Sequence, residues 1–263
     1  MIVFAAFLPH TPLLTETVGK EHRKKLKKTV AAVQKLADGL AASRPDTLVI
    51  ISAHPTRHAD AFSINVHDPY RTDLSRFGDM GAERAFRPDL RLIDAIQRPL
   101  RRQGVPVTLD TDHALDHGAS VPLLLLAERL PNIRVVPVTY AGLDAKAHVE
   151  FGRALKEVLA ASPSRIAVVA SGDLSHALTP ASPEGERPEG KVFDAAAKHA
   201  VETCGLSQLL AMDPVQVEAA AECAYRPLLI LLTLLEKTAA EPELLAYEAP
   251  FGVGLLTARF HLD

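Results

Sequence analysis

The stretch VVASGDLSHAL, residues 168–178, decides the reading of this chain. It continues an apolar, β-branched run, RIAVVAS (165–171), which stops at Gly172; the next polar side chains are Asp173, Ser175 and His176. A short apolar run bounded by glycine reads as a buried strand, here one that delivers polar groups to its C-terminal tip. In an open α/β sheet, ligands bind in the crevice beyond the carboxyl ends of the strands, so His176 stands where chemistry is expected. At this point a plainer alternative is equally open: Asp173 caps a helix and His176 occupies a surface turn.

Outward from this stretch, strand and helix signals alternate. Residues 2–8 read as a buried strand closed by Pro9 and Pro12 around His10, and DTLVIIS (46–52) as a second that ends at Ala53-His54-Pro55. Residues 62–66 and 105–109 read as short strands, 134–139 as another, and 244–247 and 253–260 as two closing strands. Helical spacing covers 20–42, 90–103, 145–161, 191–203 and 215–235, the last broken near 222–227. In TDHALDHGASVPLLLL (111–126) a polar loop with two histidines runs into an apolar helix. Residues 67–86 lack periodicity and read as a long loop able to line a site, and 179–190 as a Pro- and Gly-rich loop. With no linker or repeat, the expectation is one α/β domain over 1–263, with a mixed, mostly parallel sheet flanked by helices.

Composition narrows the function classes. The 263 residues are 48% hydrophobic and 23% charged, with a formal net charge of -3, which gives no hint of nucleic-acid binding. The basic run EHRKKLKK (21–28) reads as the solvated face of an amphipathic helix. Cys204 and Cys223 lie far from any CxxC spacing, so neither a disulfide framework nor a thiolate metal site is implied, and a reducing cytoplasm is expected. The N-terminal apolar run lacks a basic flank and the longest apolar stretch is too short to span a bilayer, so no membrane association is expected.

Eleven histidines can be sorted by position. His22, His148, His199 and His261 read as surface residues. His10, His54, His117 and His176 each follow a strand or open a helix, and together they favour a shared site. Two histidines need a third ligand to hold a divalent metal, and Glu222 in AECAYRPLLILL (221–232) is the candidate; its alternative role is a carboxylate favoured by a helix N-terminus. Two histidines and a carboxylate suit non-haem Fe(II) or zinc, so spacing alone does not choose the metal. His58, His113, Tyr225 and Arg226 are weaker candidates to border the pocket, Arg226 and Tyr225 by meeting an anionic substrate.

Five ordered motifs, LPHTPLL, VIISAHP, LDHGASVPLLLL, ASGDLSH and AECAYRPLLILL, resemble the class III extradiol dioxygenase (LigB-like) superfamily. With the closing YEAPFGVG they resemble in particular its branch associated with Memo-like proteins of the AmmeMemoRadiSam system. The resemblance implies a LigB-like, phosphorylase/hydrolase-like fold. It also implies an Fe(II)-dependent enzyme that cleaves a catecholic ring with dioxygen. On that implication His10, His54 and Glu222 hold the iron, His176 is the acid/base, and His117 contacts the substrate. Asp116 would orient His117, while Asp173, where ring-cleaving members commonly carry glycine, would bear on substrate preference. A zinc-dependent hydrolase on the same ligands and a Memo-like binding protein remain the alternatives. A homodimer and a small partner subunit are both compatible with the resemblance.

Overall fold

The computed structural model describes residues 1–54 and 58–262, so the predicted stop at Pro55 lies outside the described residues. The strands are β1 (Ile2–Leu8), β2 (Thr47–Ser52), β3 (Phe62–Asn65), β4 (Tyr70–Thr72), β5 (Ala85–Pro88), β6 (Val107–Asp110), β7 (Ala114–Leu115), β8 (Arg134–Thr139), β9 (Ile166–Ser171), β10 (Glu241–Glu248) and β11 (Leu255–His261). The helices are α1 (Glu16–Gly19), α2 (Lys27–Ser43), α3 (Leu90–Arg102), α4 (His117–Leu126), α5 (Ala145–Ala161), α6 (Pro188–Glu202), α7 (Ser207–Leu210), α8 (Pro214–Ala219) and α9 (Tyr225–Leu235).

The strands form one mixed sheet in the order β10-β11-β1-β9-β2-β8-β5-β4-β7, with β3 joined to β8 and β6. Its centre, β1-β9-β2-β8, is parallel throughout. Along β9, Val168 and Ala170 belong to the core cluster that includes side chains of α5, α6 and α9, while Ala167 and Val169 belong to the one under α2 and α4. A strand covered on both faces has no reason to alternate polar and apolar residues, which is why RIAVVAS and DTLVIIS are continuous apolar runs. The register sets Leu8 beside Ser171 and Ile51 beside Ala170, so β1, β9 and β2 end level with one another.

Three expectations change. The predicted helix over 20–42 is a 3-10 segment, Lys20–Lys25, followed by α2, because no apolar stripe exists before Leu26 to bury. The unperiodic 67–86 segment holds β4 and the start of β5, short strands whose signal is too brief to read without their partners. His148, expected on the surface, is fully buried in α5 between the rings of Phe62 and Tyr140. Its Nδ1 meets the Asp144 carbonyl at 2.6 Å, and burial pushes its pKa down to about 4.

Candidate active site

The level tips of β1, β9 and β2 bring His10, Asp173 and His54 together. His10 is buried, and its backbone N–H donates to Asp173 Oδ1 at 2.9 Å, tying the first tip to the second. The ring of His10 is oriented from behind. Ser171, the last residue of β9, gives its hydroxyl proton to the Gly118 carbonyl and meets His10 Nδ1 at 3.0 Å. A hydroxyl has one proton, so Ser171 Oγ accepts from His10 Nδ1–H. The tautomer is thereby set and the Nε2 lone pair is left bare. That lone pair faces His54 Nε2 at 2.9 Å and Cys223 Sγ at 3.3 Å. Burial, reinforced by His117 and His176, holds the His10 pKa well below the ordinary imidazole value, so the ring stays neutral and able to coordinate.

His117 opens α4 and stacks on His54, ring centroids 4.3 Å apart, with Phe77 across its edge at 5.1 Å. Burial lowers its pKa as well. Asp116 turns to the scaffold: its Oδ1 caps the helix through Gly118 N–H at 2.8 Å and accepts the Ser52 hydroxyl at 2.5 Å. Burial raises this carboxyl to about 6. The end of β2 and the start of α4 are thus pinned to each other, and His117 follows from that junction.

His176 is placed by a second set of contacts. Its Nδ1 lies 2.6 Å from the Ala221 carbonyl, which accepts only, so Nδ1 carries the proton and Nε2 is free as a base. Ala221 adopts φ +51, a left-handed conformation that costs a non-glycine residue about 1 kcal/mol. The turn before His176 is held by Asp194, which accepts from Ser175 N–H at 2.9 Å and from the Tyr247 hydroxyl at 2.7 Å. Burial raises Asp194 to about 6. The closing YEAPFGVG segment is therefore part of the site's framework: Gly254 accepts from Leu174 N–H and donates to the Ser175 carbonyl. Gly172 answers a steric demand, since a Cβ there would lie 2.6 Å from Ala224 Cα.

Asp173 is buried, and burial raises its pKa while His176, His54 and His117 oppose that shift. Glu222 Oε2 accepts the Tyr225 N–H at the start of α9. Among the described residues, the His, Cys, Asp and Glu side chains whose ligand atoms lie within 4.8 Å of one another are His10, His54 and Cys223. Cys223 needs no CxxC partner to join such a group, since the two histidines arrive from other strands. Tyr225 turns inward, its hydroxyl donating to the Leu209 carbonyl at 3.1 Å. His113 pairs with the His67 ring at 5.3 Å, and His58 meets Asp110 at 3.0 Å. The residues that sequence reasoning missed are Ser171, Ser52, Cys223, Asp194 and Tyr247. A signal existed for two of them, since both central apolar strands end in serine before their site loops.

With the site in view, comparison with known proteins assigns the class. Residues 4–260 match the family described as the catalytic LigB subunit of aromatic ring-opening dioxygenase, and the chain belongs to that family. It is similar to protein CA_C1420 of Clostridium acetobutylicum, 27% identical over 256 residues; the match takes in 94% of this chain and 55% of the relative, so the chain spans about half that protein's length. The fold resembles the crystal structure of uncharacterized protein JW3007 from Escherichia coli K12, with a TM-score of 0.61, 21% identity, and 98% and 99% of the two chains covered. No helix among the described residues is long and apolar enough to cross a membrane.

Proposed function

We propose that this protein is a non-haem Fe(II)-dependent extradiol dioxygenase that opens a catecholic ring with dioxygen. The observation that carries the proposal is the bare Nε2 of His10, its tautomer set by Ser171, aimed at His54 beside a second histidine whose Nε2 is also free. Two imidazoles whose nitrogens converge at 2.9 Å, one of them held neutral by burial, are a donor pair suited to a divalent cation. His10 and His54 would hold the metal with Glu222 as the third ligand. When bound, iron supplies a Lewis acid that lowers the pKa of a coordinated hydroxyl and a centre for oxygen chemistry.

The chain's own groups do the rest. His176 Nε2 takes the proton from a substrate hydroxyl and returns it as an acid, a double duty suited to an imidazole whose other nitrogen is held by a carbonyl. His117 hydrogen-bonds a substrate oxygen from its stack on His54. Asp173 fixes the His10 backbone from a buried position among His176, His54 and His117.

Cys223 favours a second reading. Its thiol is already in the cluster, and a donor set of two nitrogens and one sulfur suits zinc, which would make the protein a zinc enzyme of hydrolytic type. The test is metal analysis of anaerobically purified wild type, Glu222→Gln and Cys223→Ser, with oxygen uptake over a panel of catechols. The dioxygenase reading expects iron, loss of metal in Glu222→Gln and catechol-dependent uptake. Iron-loaded protein that consumes no oxygen with any catechol sinks it; tight zinc lost only in Cys223→Ser establishes the second reading.

A further inference from the structure

The N-terminal end of the sheet gathers more positive charge than the fold answers. Arg87 of β5 and Arg134 of β8 are register partners on neighbouring parallel strands, and both are exposed. Like charges in register repel. Arg91 joins them from the first turn of α3, where the macrodipole disfavours a cation. These three arginines line one cavity of about 440 Å³, in which Asp68, 3.3 Å from Arg87, is the carboxylate among the described lining residues. Among the described residues Arg91 and Arg134 have no ion pair and no side-chain hydrogen bond. Asp89 beside them in the chain is buried with both oxygens used, one by the Thr47 hydroxyl and one by Leu92 N–H.

A larger cavity continues from this one. The groove of about 1020 Å³ shares Arg91, Ile133 and Arg134 with it, and its other walls include Ala95 and Pro99 of α3 and Val158 and Ala161 of α5. None of those four side chains is buried. Bare apolar walls that lead to unanswered guanidinium groups fit a ligand divided in the same way, an aliphatic chain with an anionic head. Guanidinium forks match phosphate oxygens, and a phosphate monoester carries about −1.5 to −2 charge at neutral pH, more than a carboxylate. We propose that this end of the sheet binds a soluble alkyl or acyl phosphate, one molecule at a time, its head on Arg87, Arg91 and Arg134 and its chain along the groove between α3 and α5. The carboxylates that also line the groove are engaged in the fold: Asp46 accepts from Arg165 N–H, and Glu157 from the Gln103 amide at 3.3 Å. The site is one of binding, at the opposite end of the strands from the histidine cluster, and does not depend on how that cluster is read.

The experiment is calorimetric titration of the full chain with decyl phosphate and decanoate, both kept monomeric. The proteins are wild type, the double variant Arg91→Gln, Arg134→Gln, and the single variants Ala95→Glu and His10→Ala, with thermal unfolding as a check that each folds. Wild type is expected to take up one decyl phosphate, about tenfold or more tightly than decanoate, because charge-assisted hydrogen bonds to the extra phosphate charge are worth at least that factor. The double arginine variant weakens decyl phosphate by about tenfold or more. Ala95→Glu, which sets a carboxylate in the path of the chain, also weakens it, while His10→Ala leaves its affinity unchanged. The proposal is overturned by a wild type that shows no saturable binding, by decanoate binding as tightly, or by an affinity that survives in either the double arginine variant or Ala95→Glu. Loss of binding in His10→Ala would move the ligand to the histidine end and overturns it too. So does binding to vesicles containing phosphatidic acid with none to monomeric decyl phosphate, which would make this face a membrane surface.

Discussion

The two ends of the central parallel strands make an instructive contrast. At the N-terminal ends lies a cavity of about 1020 Å³ lined by Asp46, Thr47, Asp89 and Arg134. At the C-terminal ends the histidines are packed ring against ring. Volume alone would point to the first end. The hydrogen bonds point to the second. Asp89 gives one oxygen to the Thr47 hydroxyl and the other to Leu92 N–H as a helix cap, and Asp46 accepts from Arg165 N–H. Those carboxylates close the fold. At the other end the backing bonds of His10 and His176 are arranged so that one nitrogen of each ring is left without a proton. A ring nitrogen left without a proton by the bond its other nitrogen makes is a stronger sign of chemistry than empty space.

The sharpest way to break that contrast is to remove one residue from each end. His10→Ala is expected to bring metal content after dialysis to background, while Asp89→Ala leaves metal content at the wild-type level and lowers unfolding stability by about 1–3 kcal/mol through the lost cap and the stranded Thr47 hydroxyl. Equal metal loss in both variants would show that the two ends are not functionally distinct.

A smaller effect concerns a histidine outside the cluster. Burial depresses His148 to about 4 in the folded protein, against an ordinary value of 6.5. The unfolded chain therefore binds this proton first as pH falls, so the stability held above pH 6.5 is lost progressively down to about pH 4. The span corresponds to about 3 kcal/mol at most. Asp194 and Asp116, both raised by burial to about 6, act in the opposite sense over part of the same window. Comparing wild type with His148→Gln by denaturant unfolding from pH 7 to 4 isolates the histidine: the wild-type curve should fall more steeply, and parallel curves would refute the assignment.

The mildest test bears on the strand tip itself. Gly172→Ala places a methyl 2.6 Å from Ala224 Cα and 2.9 Å from the Cys223 carbonyl, and is expected to lower stability by about 1–3 kcal/mol. Because the displaced segment carries Glu222 and Cys223, metal affinity should weaken with it. Unchanged affinity in a destabilised Gly172→Ala would separate packing at the tip from ligand placement.

Much of this was legible in the sequence. Continuous apolar runs at 46–52 and 165–171 specify strands buried on two faces, and strands so buried call for a parallel centre with helices above and below. The histidines that follow the first two central strands had to reach the same end of the sheet, because parallel strands share a carboxyl edge. His148 was misread because its neighbours in the sequence are small and charged, whereas its ring is covered by Phe62 and Tyr140 from other elements. The short strands in 67–86 carried too few residues for a period to show.

What the sequence determined by itself is therefore the layer architecture and the gathering of His10, His54 and His176 at one edge, since both follow from local periodicity and the direction of strands, whereas His117 is brought there by the Ser52–Asp116 contact. Tertiary structure alone decided which atoms of those residues are available. Ser171 lies 161 residues from His10 and sets its tautomer; Ala221 lies 45 from His176 and does the same; Cys223 approaches His10 from 213 residues away. A ring's free nitrogen is chosen by whatever holds the other one, and that partner is a property of the folded chain, not of the spacing along it.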